Sequence, residues 1–193
     1  MKKLLNKINL LLALLLVVSL AGAKEIVIYH TSDTHGHYYS KYAGWDDQNF
    51  DRKIGGYAVL KNLIDQEKNP YLLLDSGDFT RGSIEDDEYK GKYAMEFMNK
   101  VGYDATVIGN HEFDYGIDNL KERLAMAKFD ILTSNIFNEK GKLPKHVKAY
   151  KIYKVDGIKI AVIGVGRGYK SLEKWQYKTA EEGIGSVIEK AKK

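Results

Sequence analysis

The apolar positions of this chain fall into short blocks separated by polar, glycine-rich joints. Residues 24–31, with Ile26, Val27, Ile28 and Tyr29 in succession, read as a first buried strand. Ile54-Gly55-Gly56 then leads into Leu60, Leu63, Ile64 and Glu67 at helical spacing, and Asn69-Pro70 closes that helix. Residues 71–75 predict a second strand. The acidic cluster Glu85-Asp86-Asp87-Glu88 suits the positive end of a following helix, whose apolar face is Ala94, Phe97, Met98 and Val101, with Met95 and Met98 read as core. A third strand is expected over 104–108, a helix through Ile117, Leu120, Leu124 and Ala127, and a fourth strand over 129–133 ending at Ser134-Asn135. Strands and helices in alternation predict an α/β layered fold with a largely parallel start.

Beyond Gly141 the pattern changes. Residues 147–155 and 158–164, joined by Asp156-Gly157, read as one hairpin. The text after Gly166 is polar, and 180–193 predicts a last helix weakened by Gly183 and Gly185. The stretch 38–52 has no period and reads as a loop over one end of the sheet. Tyr38, Tyr39, Tyr42 and Trp45 in it could stack on a base or pack locally.

The amino-terminal segment stands outside this scheme. Lys2, Lys3 and Lys7 precede an apolar run from Leu10 to Leu20 and the small residues Ala21-Gly22-Ala23, the order of a secretory signal peptide. The reading is therefore a leader over 1–23, cleavage after Ala23, and export to the periplasm or the exterior without a membrane span in the product. No cysteine is present, so the exported product would have neither disulfides nor thiolate ligands. The net charge of +4 includes the three leader lysines, which leaves about +1 for residues 24–193. That balance gives no footprint for a nucleic-acid polymer.

Candidate chemistry lies where three predicted strands end. Asp33 and His35 follow the first, and an extended backbone there would point both to one side. Asp78 follows the second, and Asn110-His111 the third. Loops at the carboxyl ends of strands are where α/β sheets build their sites. Each loop carries glycine where the backbone must come close. Without cysteine, any metal must sit in an oxygen and nitrogen shell, which favours Mn, Mg, Fe or Zn.

Asp33-Thr34-His35-Gly36, Gly77-Asp78 and Gly109-Asn110-His111-Glu112, in that order, resemble the first signatures of the calcineurin-like metallophosphoesterases. Within them the chain is similar to the exported 5'-nucleotidase and 2',3'-cyclic-nucleotide phosphodiesterase group, over roughly residues 25–164. The resemblance implies a four-layer α-β-β-α domain holding two divalent ions. By it, Asp33 and His35 would bind the first metal, Asp78 would bridge the two, and Asn110 would bind the second while touching a phosphate oxygen. A metal-bridging hydroxide would attack phosphorus; His111 would stabilise the transition state or protonate the leaving group, with Asp114 orienting its ring. The substrate would be a nucleotide or another small phosphate ester, which Arg81 could also contact.

The resemblance covers the amino-terminal part of that catalytic domain. The family's later histidines, one alone and a Gly-His-x-His pair, have no counterpart here. After His111 only His146 remains, before the hairpin and outside the expected context. Residues 24–193 are accordingly read as an incomplete, truncated metallophosphoesterase domain, with a possible need for a missing carboxy-terminal segment and an uncovered sheet edge or face. Two functions stay open: metal-dependent hydrolysis of phosphate esters, or a weakly active or inactive remnant that binds metal or phosphate. His37 could be a loop residue or line the pocket, and His30 and Asn135 read as structural.

Overall fold

The computed structural model describes residues 24–49, 51–167 and 174–193. The expected leader lies outside them. The chain begins with β1 (Val27–Thr31), a small pair formed by β2 (Lys41–Tyr42) and β3 (Lys53–Ile54), then α1 (Tyr57–Gln66) and β4 (Tyr71–Asp75). It continues through α2 (Ile84–Tyr89), α3 (Lys92–Val101), β5 (Ala105–Val107), a 3-10 turn at His111–Phe113 and α4 (Ile117–Met126). The remaining elements are β6 (Asp130–Leu132), β7 (Ile136–Phe137), β8 (Val147–Lys148), β9 (Tyr150–Val155), β10 (Ile158–Ile163), β11 (Gln176–Tyr177) and α5 (Ala180–Ala191).

β1, β4, β5, β6 and β8 lie side by side in that order, every neighbouring pair parallel. Helical spacing explains one cover of this sheet. α3 buries Ala94, Met95, Met98 and Val101, and α4 buries Ile117, Leu120 and Leu124. Together with Ile64 of α1 they close over Leu73 and Ile131, the alternate residues of β4 and β6. The other alternation, Leu74, Val107 and Leu132, faces a cavity of about 300 Å³ bounded by Val162 to Val165 at the end of β10. The β9–β10 hairpin packs on β6, and α5 packs on the hairpin. The fold is thus α/β, built on a parallel sheet with helices on one side and the hairpin with α5 on the other. β1 is an edge strand, and Ile28 on it is 55% exposed.

The structure departs from the sequence reading at four places. The stretch 38–52 contains β2, which pairs with β3 just beyond it, and such two-residue strands are too short to leave a period. The one helix expected from Glu85 to Val101 is two, because Lys90 and Gly91 turn left-handed with φ of 50° and 74°. The residues 147–155 divide at Ala149: β8 joins the parallel sheet, and only β9 pairs with β10. The polar text after Gly166 includes β11, which pairs antiparallel with β7. Met95 and Met98, 1% and 0% exposed, are core as read.

Candidate metal centre

Since β1, β4 and β5 are parallel neighbours, the loops that follow them meet at one end of the sheet. The first lies directly on the second: Asp33, His35 and Gly36 donate their amides to the carbonyls of Gly77, Asp78 and Phe79 at 3.1, 3.1 and 3.2 Å. Two glycines permit the approach. A Cβ on Gly82 would lie 2.4 Å from the His35 carbonyl oxygen, and one on Gly109 would lie 2.3 Å from Asp78 Oδ1. Asp33, His35, Asp78 and Arg81 all have positive φ, between 44° and 70°, a conformation that side-chain-bearing residues adopt at a cost in energy.

These dihedrals correct one expectation. The backbone at Asp33 and His35 is left-handed, not extended, so alternation does not carry both side chains to one place. His35 turns inward. Asp33 is 63% exposed at its side chain, accepts a hydrogen bond from the Ser32 hydroxyl, and stands 3.9 Å from His35 Nε2.

His35, Asp78 and His111 do converge, each offering a ligand atom within 4.8 Å of the others. The two imidazoles are fixed in the same manner. His35 Nδ1 is 2.8 Å from the Arg81 carbonyl, which can only accept, so the proton sits on Nδ1 and the Nε2 lone pair is free. His111 Nδ1 is 2.8 Å from Asp114 Oδ2, which holds that ring likewise. The rings meet edge to face, 4.8 Å between centroids. Asp78 Oδ1 accepts the His111 amide at 2.9 Å, leaving its second oxygen available. A carboxylate and two neutral imidazoles form a donor set that a divalent cation fits.

The other residues read from the sequence surround this group. Asn110 is half-buried and caps the 3-10 turn that carries His111. Arg81 leans over the rim, Nη1 3.7 Å from Asp87 and Nε 3.8 Å from Asp114. His37 accepts from Lys41 Nζ at 3.0 Å and lines a separate apolar cavity of about 400 Å³ with Tyr57, Leu60 and Leu63. His30 pairs with Ser76 Oγ at 2.6 Å on the sheet. His146 precedes β8 and therefore lies at the amino-terminal end of the parallel strands, opposite the three loops. Of the loop aromatics, Tyr38 is buried and stacks on Phe97, while Tyr39, Tyr42 and Trp45 are exposed. Asn135, fully buried, bonds Gly166 and Lys178 and ties chain segments together, as read.

Residues 26–177 match the model for the calcineurin-like phosphoesterases. The chain belongs to that family. It is 40% identical to a human 5'-nucleotidase over 161 residues, 79% of this chain and 27% of that protein. A 5'-nucleotidase of Vibrio vulnificus is 35% identical over 149 residues, 73% of this chain and 25% of the relative. The chain thus spans about a quarter of the length of these curated relatives. Among solved structures, the 5'-nucleotidase precursor of Thermus thermophilus superposes with a TM-score of 0.73 at 24% identity, over 84% of this chain and 34% of that one. That likeness shows the phosphoesterase fold.

Two residues that support this cluster escaped the sequence reading. Glu112 is 0% exposed, and burial pushes its carboxyl up to about 7 against the pull of the Arg123 guanidinium and of neighbouring amides. Arg123, 1% exposed on α4, donates through Nη2 to the Glu112 carbonyl, through Nη1 to Thr80 Oγ1 at 3.3 Å and through Nε to Asn119 at 2.9 Å. A charged residue on the apolar face of a helix was the available signal for Arg123. Glu112 stood in plain view beside His111. Behind the first loop, Asp86 is also fully buried: it takes the Tyr38 hydroxyl on Oδ1, and its Oδ2 packs where a side chain on Gly36 would be.

Proposed function

We propose that the chain hydrolyses phosphate esters with the help of divalent metal ions, and that nucleotides are its substrate class. The convergence of His35, Asp78 and His111 where three parallel strands end is the observation that carries this reading. Family membership supports the chemistry, and the 5'-nucleotidase relatives support the substrate class. Bound cations of this kind lower the pKa of water and neutralise charge on phosphate oxygens. The imidazoles favour Zn or Fe and the carboxylates Mn or Mg, so the donor set leaves the metal open among these four.

Within this scheme His35 and Asp78 would hold metal, Asp78 through the oxygen that the His111 amide leaves available, and Asp33 and Asn110 would complete the shell from the rim. His111 presents Nε2 to the phosphate or to the leaving oxygen, and Asp114 keeps its proton on Nδ1. Arg81 meets a phosphate oxygen by exchanging Asp87 or Asp114 for it. Export, with removal of the leader 1–23, belongs to the same proposal. No described helix is long and apolar enough to cross a membrane.

The size of the donor set favours one alternative: three groups within 4.8 Å suit a single cation, so that metal binding without efficient turnover is the second reading. Assay of AMP and 2',3'-cyclic AMP with added Mn decides between them. Turnover that vanishes in Asp78→Asn supports hydrolysis. Mn binding by calorimetry without turnover supports the second reading, and absence of both refutes the proposal.

A further inference from the structure

We infer that Glu112 is a positioning residue that locks the second and third site loops into one body, and so fixes where Asp78 and His111 stand. The inference rests on the metal-centre reading above. Its basis is a set of hydrogen bonds that all end on one buried carboxylate. Oε2 accepts the amides of Asp78 at 2.9 Å and Gly109 at 2.7 Å; Oε1 accepts those of Phe79 at 3.0 Å and Thr80 at 3.2 Å, and the Thr80 hydroxyl at 3.2 Å.

Three consecutive amides turned to one point form a concavity of the kind that binds anions. Here the anion is supplied by the protein, from a loop some thirty residues further along the chain. The left-handed φ of 52° at Asp78 helps aim its amide there. The traffic is reciprocal: Glu112 takes the Asp78 amide, while Asp78 Oδ1 takes the His111 amide at 2.9 Å. Asp78 is therefore held at backbone and side chain by two adjacent residues of the other loop. Arg123 braces the same frame through the Glu112 carbonyl and the Thr80 hydroxyl, not through the carboxylate.

The chemistry demands a group that only accepts. Every named partner of the two oxygens is an N–H or O–H donor, so both oxygens serve as acceptors, a pattern a carboxamide cannot reproduce. In Glu112→Gln, nearly identical in shape, an NH2 group would face amide donors and one side of the clamp would open. The local structure would loosen at two loops distant in sequence, with the sheet intact.

Two measurements on the full chain and its Glu112→Gln variant test this. Hydrogen exchange without added metal reads the clamp alone: the amides of Asp78, Phe79, Thr80 and Gly109 should exchange about tenfold faster or more in the variant, with Leu73 and Val107 unchanged. Calorimetry with Mn reads its consequence, an affinity lower by about 10- to 100-fold. Unchanged exchange at the four amides overturns the clamp whatever Mn does. Faster exchange with unaltered Mn affinity overturns the positioning role. A parent chain that binds no Mn refutes the metal-centre reading instead, and exchange still judges the clamp. Should Glu112→Gln fail to fold, Glu112→Asp, which keeps a carboxylate but shortens its reach by one methylene, must speed exchange at the same four amides; no change there overturns the inference.

Discussion

His111 Nδ1 stands 2.8 Å from Asp114 Oδ2, and the same oxygen lies 3.8 Å from Arg81 Nε. One carboxylate therefore fixes the tautomer of the imidazole and restrains the cation at the rim. Asp114→Asn keeps the shape but removes the charge from both relationships. Hydrolysis of AMP is expected to fall by about 10- to 100-fold, the usual loss when such an orienting partner is removed. The thermal midpoint should barely move, because the Asp114 side chain is 25% exposed and outside the core. Steady-state kinetics beside a thermal melt check both halves.

The glycines give a paired prediction of opposite sign. In Gly109→Ala the new methyl would meet Asp78 Oδ1 at 2.3 Å and the Asp78 amide nitrogen at 2.6 Å. Both are held by the third loop, so neither retreats cheaply, and a loss of about 1–3 kcal/mol is expected with weaker Mn binding. Gly185 on α5 has nothing within 4 Å of its would-be Cβ. Gly185→Ala should therefore stabilise by about 1 kcal/mol, the helix-propensity difference. Chemical denaturation of both variants measures the contrast.

Asp130 supplies the pH prediction. Burial raises its pKa, but hydrogen bonds from Lys148 and Tyr153 and the charges of Lys148 and Lys151 outweigh this and leave it below 3.8. A carboxyl with a depressed folded pKa binds fewer protons folded than unfolded near that value. Its contribution is present above pH 3.8 and is lost as pH falls through the folded pKa. Asp130→Asn should cost about 1–3 kcal/mol at pH 7, as for hydrogen bonds to a charged group. The gap from the parent chain should close on acidification below 3.8, which denaturation at a series of pH values would display.

Much of this architecture could be read from residue order because period and position agree. The apolar runs at 71–75 and 104–108 sit between helical patterns, and they became neighbouring parallel strands. Asp78 and His111 were legible for the same reason, since strand ends place loops. What stayed hidden depends on single dihedrals and on distant contacts. Lys90 in a left-handed conformation breaks a helix whose apolar spacing continues across it. Gly183 looked like a weakness in α5, yet a Cβ there would meet Asn135 Cβ at 2.7 Å, so the helix needs it to dock. The reading at Asp33 and His35 assumed an extended chain, whereas both residues are left-handed. Glu112 was visible only as a letter beside His111, as nothing local announces that amides thirty residues earlier will turn toward it.

The brace from α4 bears on how the protein is made. The strands that carry the loops complete β1, β4 and β5 by Val107, but the guanidinium that supports Thr80 and the Glu112 carbonyl arrives only with Arg123. On a chain growing from its amino terminus, Asp33 and His35 emerge some ninety residues before that brace. The amides of Asp78, Phe79 and Thr80 gain their common acceptor when Glu112 is made, and the brace on its carbonyl follows eleven residues later. The site is thus completed in steps along the chain: the three strands come first, then the clamp at Glu112, then the helix whose Arg123 braces it.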